Sequence, residues 1–289
     1  MCVTLAPVLS SRPRVAVVGH VEWVRFARVA HVPRAGEAVH ALDPFEEPAG
    51  GGAVAAVQLA RLAGAAALLT ALGEDEHGRR SVARLSELGV DVRAAFVDSP
   101  TRAAVTLVDD AGERTITTFG PRLEPLGDDH SSVWEALDGV DAVYFTAGDE
   151  AALRGARAAA RVLVASPRAR EALGHGVPID ALVLSSEDAI ERGELARAQD
   201  EAELVVFTEG ARGGSYRARS GATGRWAAAT LPGARVDSYG CGDSFAAGLT
   251  YGLGAGLELA DALALAARCG AMCLTGRGPY EHQLGCADL

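Results

Sequence analysis

Asp237-Ser238-Tyr239-Gly240-Cys241-Gly242-Asp243-Ser244-Phe245-Ala246-Ala247-Gly248 is the stretch on which the reading of this chain turns. Two glycines flank one residue, an acid follows at once, and a helical pattern of small residues begins. Gly240 and Gly242 allow a tight turn that brings consecutive N–H groups to one point. A helix starting near Asp243 adds its unpaired N–H groups and the positive end of its dipole. Together these make a site for an anion, whether bound or developing during a reaction. Asp243 stands at the mouth of that site, where a carboxylate could take a proton from an attacking hydroxyl. A bare Gly-x-Gly-Asp also suits an ordinary helix cap after a glycine turn. The longer string, set before a small-residue helix late in the chain, is what points to chemistry.

The rest of the composition sets bounds. The chain has 289 residues and is 49% hydrophobic, enough for one large α/β domain with a sizeable core. Its formal charge is -11, which argues against nucleic acid or an anionic membrane as the main partner. A local nest of amides can still hold a small anion. All 27 basic residues are arginine, so any phosphate clamp works without lysine. Five cysteines (Cys2, Cys241, Cys269, Cys273 and Cys286) form no Cys-x-x-Cys pair, which fits a reduced, cytoplasmic setting. No long apolar run follows a basic start, so neither a signal peptide nor a membrane span is expected.

Along the chain, residues 1–12 read as a leader. Arg14 to Gly19 is a short apolar run ended by glycine, as in a buried parallel strand. Residues 20–49 read as short strands and turns. Gly50 to Gly52 opens an Ala/Val/Leu helix ending near Gly64, and a strand follows to Leu72. A turn at Gly73-Glu74-Asp75 leads to a helix closed by Gly89. Residues 91–119 alternate, with a hairpin turn at Asp109-Asp110-Ala111-Gly112. Strands are expected at 140–146, 161–165, 181–185 and 204–208, a hairpin at 216–228, and helices at 242–255 and 258–275. This predicts an α/β fold with a doubly wound, mostly parallel sheet, in a single domain spanning 1–289. The alternating stretches near 32–49 and 91–119 do not fit that layer and would form a small separate β-sheet. His20, His31, His40 and His77 read as surface or lid residues, and Trp23, Trp134 and Trp226 as packing, with stacking on a ligand open to Trp23.

The opening string resembles the second signature of the ribokinase-like, or PfkB-type, carbohydrate kinases, usually Asp-Thr-x-Gly-Ala-Gly-Asp-x-Phe-x-x-Gly. Further stretches follow in the family order. Gly50-Gly51-Gly52-Ala53-Val54 and the helix behind it resemble the first signature. Gly73-Glu74-Asp75-Glu76-His77-Gly78 resembles the family's Gly-Asp-Asp-x-x-Gly turn. Arg102 and Asp109–Thr115 resemble the lid hairpin. Val206–Gly213 resembles the turn that meets the nucleotide phosphates, and Thr275-Gly276-Arg277-Gly278 the loop near adenine. The resemblance implies an ATP-dependent kinase acting on a hydroxyl of a small sugar-like or nucleoside-like substrate. Asp243 would be the base, and the amides of Gly240, Cys241 and Gly242 the anion hole. Thr208, Gly210, Gly213, Thr275 and Gly278 would meet the nucleotide. Glu22, Val24, Gly50, Gly51, Val54 and Arg102 would meet the substrate. Magnesium would be held through Asp188, and potassium beside Asp237. The segments near 32–49 and 91–119 would form a lid, in that family often also a homodimer contact.

The departures shape the expectation. Val24 stands where the family carries a sugar-binding Asp, and Val54 where it carries an Asn. With Glu22 as the nearest acid, this reads as a floor with one acid and apolar neighbours, suited to a nucleoside or deoxy-sugar derivative. The family's Asn-x-x-Glu becomes Ser185-Ser186-Glu187-Asp188, which is also an ordinary helix N-cap. A non-catalytic, ligand-binding regulator is the other reading these losses leave. A nicotinamide-dependent oxidoreductase is disfavoured, because no Gly-x-Gly-x-x-Gly follows an early strand.

Overall fold

The computed structural model describes residues 12–128 and 131–289, so all but Arg12 of the expected leader lies outside it. The chain opens with β1 (Val15–Val18), β2 (Glu22–Arg28), β3 (Leu42–Ala49) and α1 (Gly51–Ala63). Next come β4 (Ala66–Gly73), α2 (Glu76–Glu87), β5 (Val90–Val97), β6 (Ala103–Val108) and β7 (Arg114–Phe119). A short α3 (Ser131–Trp134) precedes β8 (Ala142–Phe145), α4 (Glu150–Ala159), β9 (Val162–Ala165), β10 (Ile179–Ser185) and α5 (Ala189–Ala198). The chain ends with β11 (Ala202–Thr208), β12 (Gly214–Ala218), β13 (Thr223–Trp226), α6 (Cys241–Gly254) and α7 (Leu259–Cys273).

Two sheets result among the described residues. The larger has nine strands in the order β13-β12-β11-β10-β9-β8-β1-β4-β5. It is parallel from β11 to β5, with β12 and β13 added antiparallel at one edge. The smaller runs β3-β2-β6-β7. Short apolar runs suffice for the large sheet because both of its faces are covered. Val15 and Val17 of β1 enter one core, while Ala16 and Val18 enter the other. The first core is shared with α1, α6 and α7 through Val54, Val57, Leu59, Phe245, Leu249 and Leu263. The second is closed by α4 through Leu153 and Ala156. Each such Val or Leu contributes about 1.5–3 kcal/mol by leaving water. This is the doubly wound, mostly parallel sheet with a small separate sheet that the pattern implied.

Two stretches sit differently from the sequence expectation. Residues 90–97 belong to the large sheet, where β5 pairs with β4 from Ala66↔Val90 to Gly73↔Val97. Their place in the small sheet is taken by Glu22–Arg28, which pairs with both β3 and β6. Alternation marks a half-exposed strand equally well at a sheet edge and in a covering sheet, so periodicity alone could not separate them. The hairpin at 109–112 forms because Asp109 Oδ1 accepts from the N–H groups of Ala111 (2.9 Å) and Glu113 (3.0 Å).

The Gly73–Gly78 turn has a positioning role. Asp75 caps α2 by accepting from Gly78 N at 2.7 Å. Its carboxylate also accepts from Thr101 N at 2.7 Å and Thr101 Oγ1 at 2.8 Å. That clamp fixes the start of β6 and, with it, Arg102.

Candidate active site

In a parallel sheet the strands' carboxyl ends face one crevice, and ligands bind there. Along that edge lie His20 after β1, Thr146 after β8, Arg168 after β9, Ser185–Asp188 at the end of β10 and Thr208–Gly210 at the end of β11. The Gly240 turn and α6 close the crevice from one core face. Gly240 has φ +81°, left-handed, and a Cβ there would stand 2.9 Å from Val54 Cγ1. Glycine is therefore needed both for the turn and for the approach of α1 to α6. Above Gly242 nothing lies within 4 Å of where a side chain would begin. The first N–H groups of α6 have no intrahelical acceptor.

The two glycine turns are tied together. Gly50 N donates to Tyr239 Oη at 3.2 Å. A Cβ on Gly51 would stand 2.9 Å from Asp243 Oδ1 and 3.1 Å from Thr146 Oγ1, so the Asp243 carboxylate occupies the space that a side chain at position 51 would take. Burial pushes the Asp243 carboxyl up to about 6; Arg168 and Arg114 oppose the rise, and Glu191 adds to it. The group is ionised over most of the neutral range yet basic enough to accept a proton.

Glu22 is 6% exposed and lies against Gly50. Burial raises its carboxyl above the usual range, Arg102 opposes this, and the Asp243 charge adds to it. Arg102 Nε stands 3.4 Å from Glu22 Oε2, and its Nη2 donates to Thr118 Oγ1 at 2.7 Å. His20, expected at the surface, is buried at 8% exposure with Nε2 facing Gly50. Burial, then the charges of Arg122, Arg102 and Arg168, keep it well below its ordinary pKa and hence neutral. Its Nδ1 and the Nε of Arg102 are buried without a hydrogen-bond partner. Strand position was the available signal for His20, since it directly follows the glycine that ends β1.

Val24 and Val54 do not reach the crevice. Both are 0% exposed and belong to the first core. Phe26, on the same face of β2, stacks on Phe45 at 4.8 Å and meets Tyr239 edge-on at 4.9 Å. Trp23 points the other way: it stacks on His77 at 5.5 Å beneath Arg80 and donates to Glu46 at 3.2 Å. The apolar floor expected from these positions is core and sheet packing, and the surface facing Asp243 is polar.

Asp188 is engaged. Its Oδ1 caps α5 by accepting from Ile190 N at 2.9 Å and Glu191 N at 3.2 Å, while Oδ2 pairs with Arg168. Arg168 also binds Glu191 at 2.7 Å, and Glu191 accepts from Ser185 N at 2.7 Å. Glu191, three residues beyond Asp188 and so on the same face of α5, is the acid whose charge is felt at Asp243. No cluster of three or more His, Cys, Asp or Glu suited to a metal occurs among the described residues. Both Asp188 and Glu191 are committed to Arg168 and to backbone N–H groups. Asp237 accepts from Tyr239 N at 2.8 Å and Gly278 N at 3.0 Å. Burial still raises its carboxyl, and no arginine pairs with it directly among the described residues. The two amides and the charge of Arg114 only partly offset that burial, and the carboxylate oxygens fit a monovalent cation beside them.

The remaining expected contacts divide. Gly278 is joined to the signature through Asp237, and Thr275 Oγ1 donates to Met272 O at 2.8 Å in the same loop. Thr208 ends β11 and Gly210 and Gly213 lie just beyond it, where Glu209 is held by Arg225 at 2.7 Å.

A parallel sheet with an anion-ready turn at its carboxyl edge, beside a small second sheet, defines an α/β ligand-binding class. Comparison with known proteins narrows it: the model of the pfkB family carbohydrate kinases matches residues 12–177 and 179–284, and the chain belongs to that family. A fructokinase of Klebsiella pneumoniae is 28% identical, over 82% of this chain and 90% of its own. Ribokinase of Arabidopsis thaliana, solved with ribose and ATP, superposes with a TM-score of 0.73 at 18% identity, covering 96% of this chain and 97% of its own. A microbiome-derived acarbose kinase, Mak1, gives 0.78 at 24% identity over the same shares. At those identities the two structures establish the shared ribokinase-like fold. No helix among the described residues is long and apolar enough to cross a membrane.

Proposed function

We propose that this chain transfers the γ-phosphoryl group of ATP to a hydroxyl of a small polyhydroxylated acceptor, sugar-like or nucleoside-like. The observation that carries the reading is the apposition of the Asp243 carboxylate to the amide turn at the start of α6, with Gly51 leaving room for it. Asp243 takes the acceptor's hydroxyl proton. The new O–P bond forms as the bond to the ADP leaving group breaks. The Cys241 and Gly242 amides and the helix dipole stabilise the charge on the transferring group, so the protein's part is positioning and electrostatics. Bound magnesium would shield the phosphate charge, with Asp188 and Glu191 ordering its water shell. A potassium ion beside Asp237 belongs to the same proposal. ATP would lie across Thr208–Gly213 toward Thr275–Gly278.

On the acceptor side, Glu22, Gly50, Gly51 and Arg102 remain in the proposed site, and His20 joins them. Val24 and Val54 leave it because neither has surface there. The buried His20 Nδ1, without a hydrogen-bond partner, favours an acceptor that brings a hydroxyl to it, since a buried polar atom left unmatched costs about 1–3 kcal/mol. Exposed Leu42, Ile116 and Phe119 on the small sheet support its use as a homodimer contact, testable by light scattering. The deciding experiment is ADP release with purified protein across fructose, ribose, acarbose, nucleosides and sugar acids. Turnover on a polyol supports the reading. ATP binding with turnover on none would favour a regulatory protein.

A further inference from the structure

Tyr239 is the one large side chain between Asp237 and Asp243, and the fold sets it between the two glycine turns. It is 4% exposed. Its backbone is held at both ends. Tyr239 N donates to Asp237 Oδ1 at 2.8 Å, and Tyr239 O accepts from Cys273 Sγ at 3.4 Å. Its ring meets Phe26 edge-on at 4.9 Å, and Phe26 in turn stacks on Phe45. These contacts aim the hydroxyl at the N–H of Gly50, which lies 189 positions earlier in the chain.

That N–H needs an acceptor. Gly50 is buried, caps α1 with φ +90° and has no side chain to help itself. A Cβ there would stand 3.0 Å from His20 Nε2 and 3.3 Å from Glu22 Cγ, so the turn is packed closely on that side too. A buried N–H stripped of its acceptor drives the backbone to shift toward another. Burial, then the charge of Glu22, raise the Tyr239 phenol well above its usual range, so the hydroxyl stays un-ionised. Directly after Gly50 comes Gly51, where a Cβ would stand 2.9 Å from Asp243 Oδ1. One phenolic oxygen thus spaces the Gly50–Gly51 backbone from the acid four residues beyond Tyr239.

We propose that Tyr239 is a positioning residue for phosphoryl transfer: through the Gly50 N–H, its hydroxyl holds the Gly50–Gly51 turn where an acceptor hydroxyl lies against Asp243. This rests on the phosphotransfer reading above and adds a residue to it. Tyr239 acts through the turn and touches neither nucleotide nor acceptor. Its loss therefore falls on the rate of transfer and spares nucleotide binding.

The test compares Tyr239→Phe, Phe26→Leu and Gly51→Ala, and the double variant of Tyr239→Phe with Gly51→Ala. Tyr239→Phe keeps the ring and removes one oxygen. With the best acceptor its kcat should fall about 5–30-fold, while the KM for ATP moves less than about twofold. The thermal shift produced by ADP with magnesium should be kept, which also shows that the variant is folded. Phe26→Leu loosens the ring's packing and leaves the hydroxyl; it should melt earlier yet stay within about threefold of the wild-type kcat. Gly51→Ala disturbs the same apposition from the other side. The double variant should therefore lose no more than about threefold beyond the worse single variant, well short of the product of the two. An unchanged kcat in Tyr239→Phe would overturn the proposal. So would an equal loss in Phe26→Leu, which would assign the effect to packing. Losses that multiply in the double variant would also overturn it, by separating Tyr239 from the apposition of Gly51 and Asp243. A wild type with neither turnover nor a nucleotide shift would instead bring down the phosphotransfer reading, and this proposal with it.

Discussion

The two ends of the crevice are built in different ways. On the proposed acceptor side, Glu22, His20 and Asp243 crowd around two glycines, and burial moves the pKa of each. On the proposed nucleotide side, Gly210, Ala211 and Arg212 are exposed, and Glu209 is held by Arg225 and Ser215. In the proposed reading these buried side chains would set proton transfer and acceptor choice, and each is sensitive to a one-atom change. An exposed turn that binds through its backbone tolerates side-chain replacement. Changes on the acceptor side should therefore act on kcat, and changes on the nucleotide side on the KM for ATP.

The largest expected effect is at Asp243. Asp243→Asn keeps the shape and removes the base, and kcat should fall about 10²–10⁴-fold with nucleotide affinity nearly unchanged. Steady-state kinetics with ATP titration checks both halves; near-normal turnover would remove Asp243 from its role. Gly51→Ala comes next. Its new methyl would begin 2.9 Å from Asp243 Oδ1 and displace the carboxylate, lowering kcat about 10–100-fold. If that variant were as active as wild type, the close fit of Gly51 to Asp243 would be irrelevant to turnover. Thr208→Val tests the other end: the KM for ATP should rise no more than about tenfold, since at most one hydrogen bond is lost, with the acceptor KM constant. A change in acceptor KM instead would erase the division between the two ends. Smallest is the cation effect: replacing sodium by potassium should raise the rate a few-fold, about 1 kcal/mol or less. Equal rates would withdraw the ion from Asp237 and leave the rest standing.

Much of this division was legible in the sequence. Gly240-Cys241-Gly242-Asp243 marked the turn and the acid because glycine spacing before a small-residue helix reports backbone geometry directly. The doubly wound sheet was legible because buried parallel strands leave short apolar runs such as Val15–Val18. The acceptor side was less legible, because side-chain direction depends on tertiary placement. Val24 and Glu22 share one face of β2, yet Val24 is enclosed in the first core while Glu22 lies against the Gly50 turn. His20 read as a loop histidine because nothing local shows that Gly50 and Gly51 close over it. Glu191 and Arg168 form their pair across two crossovers of the sheet, and Arg114 meets Ser238 from 124 positions away. Long-range pairs of this kind leave no trace in local periodicity.

The central claim, that a carboxylate with a raised pKa accepts the acceptor's proton, is tested most directly by the pH dependence of kcat. Burial raises the Asp243 pKa, so the competent, ionised form is lost as pH falls through about 6. Activity at saturating ATP and acceptor should therefore be level above neutrality and drop on the acid side with an apparent pKa near 6. The residual activity of Asp243→Asn should lack that limb. A wild-type profile level from about pH 5 to pH 8, or an acid limb that survives in Asp243→Asn, would contradict the account.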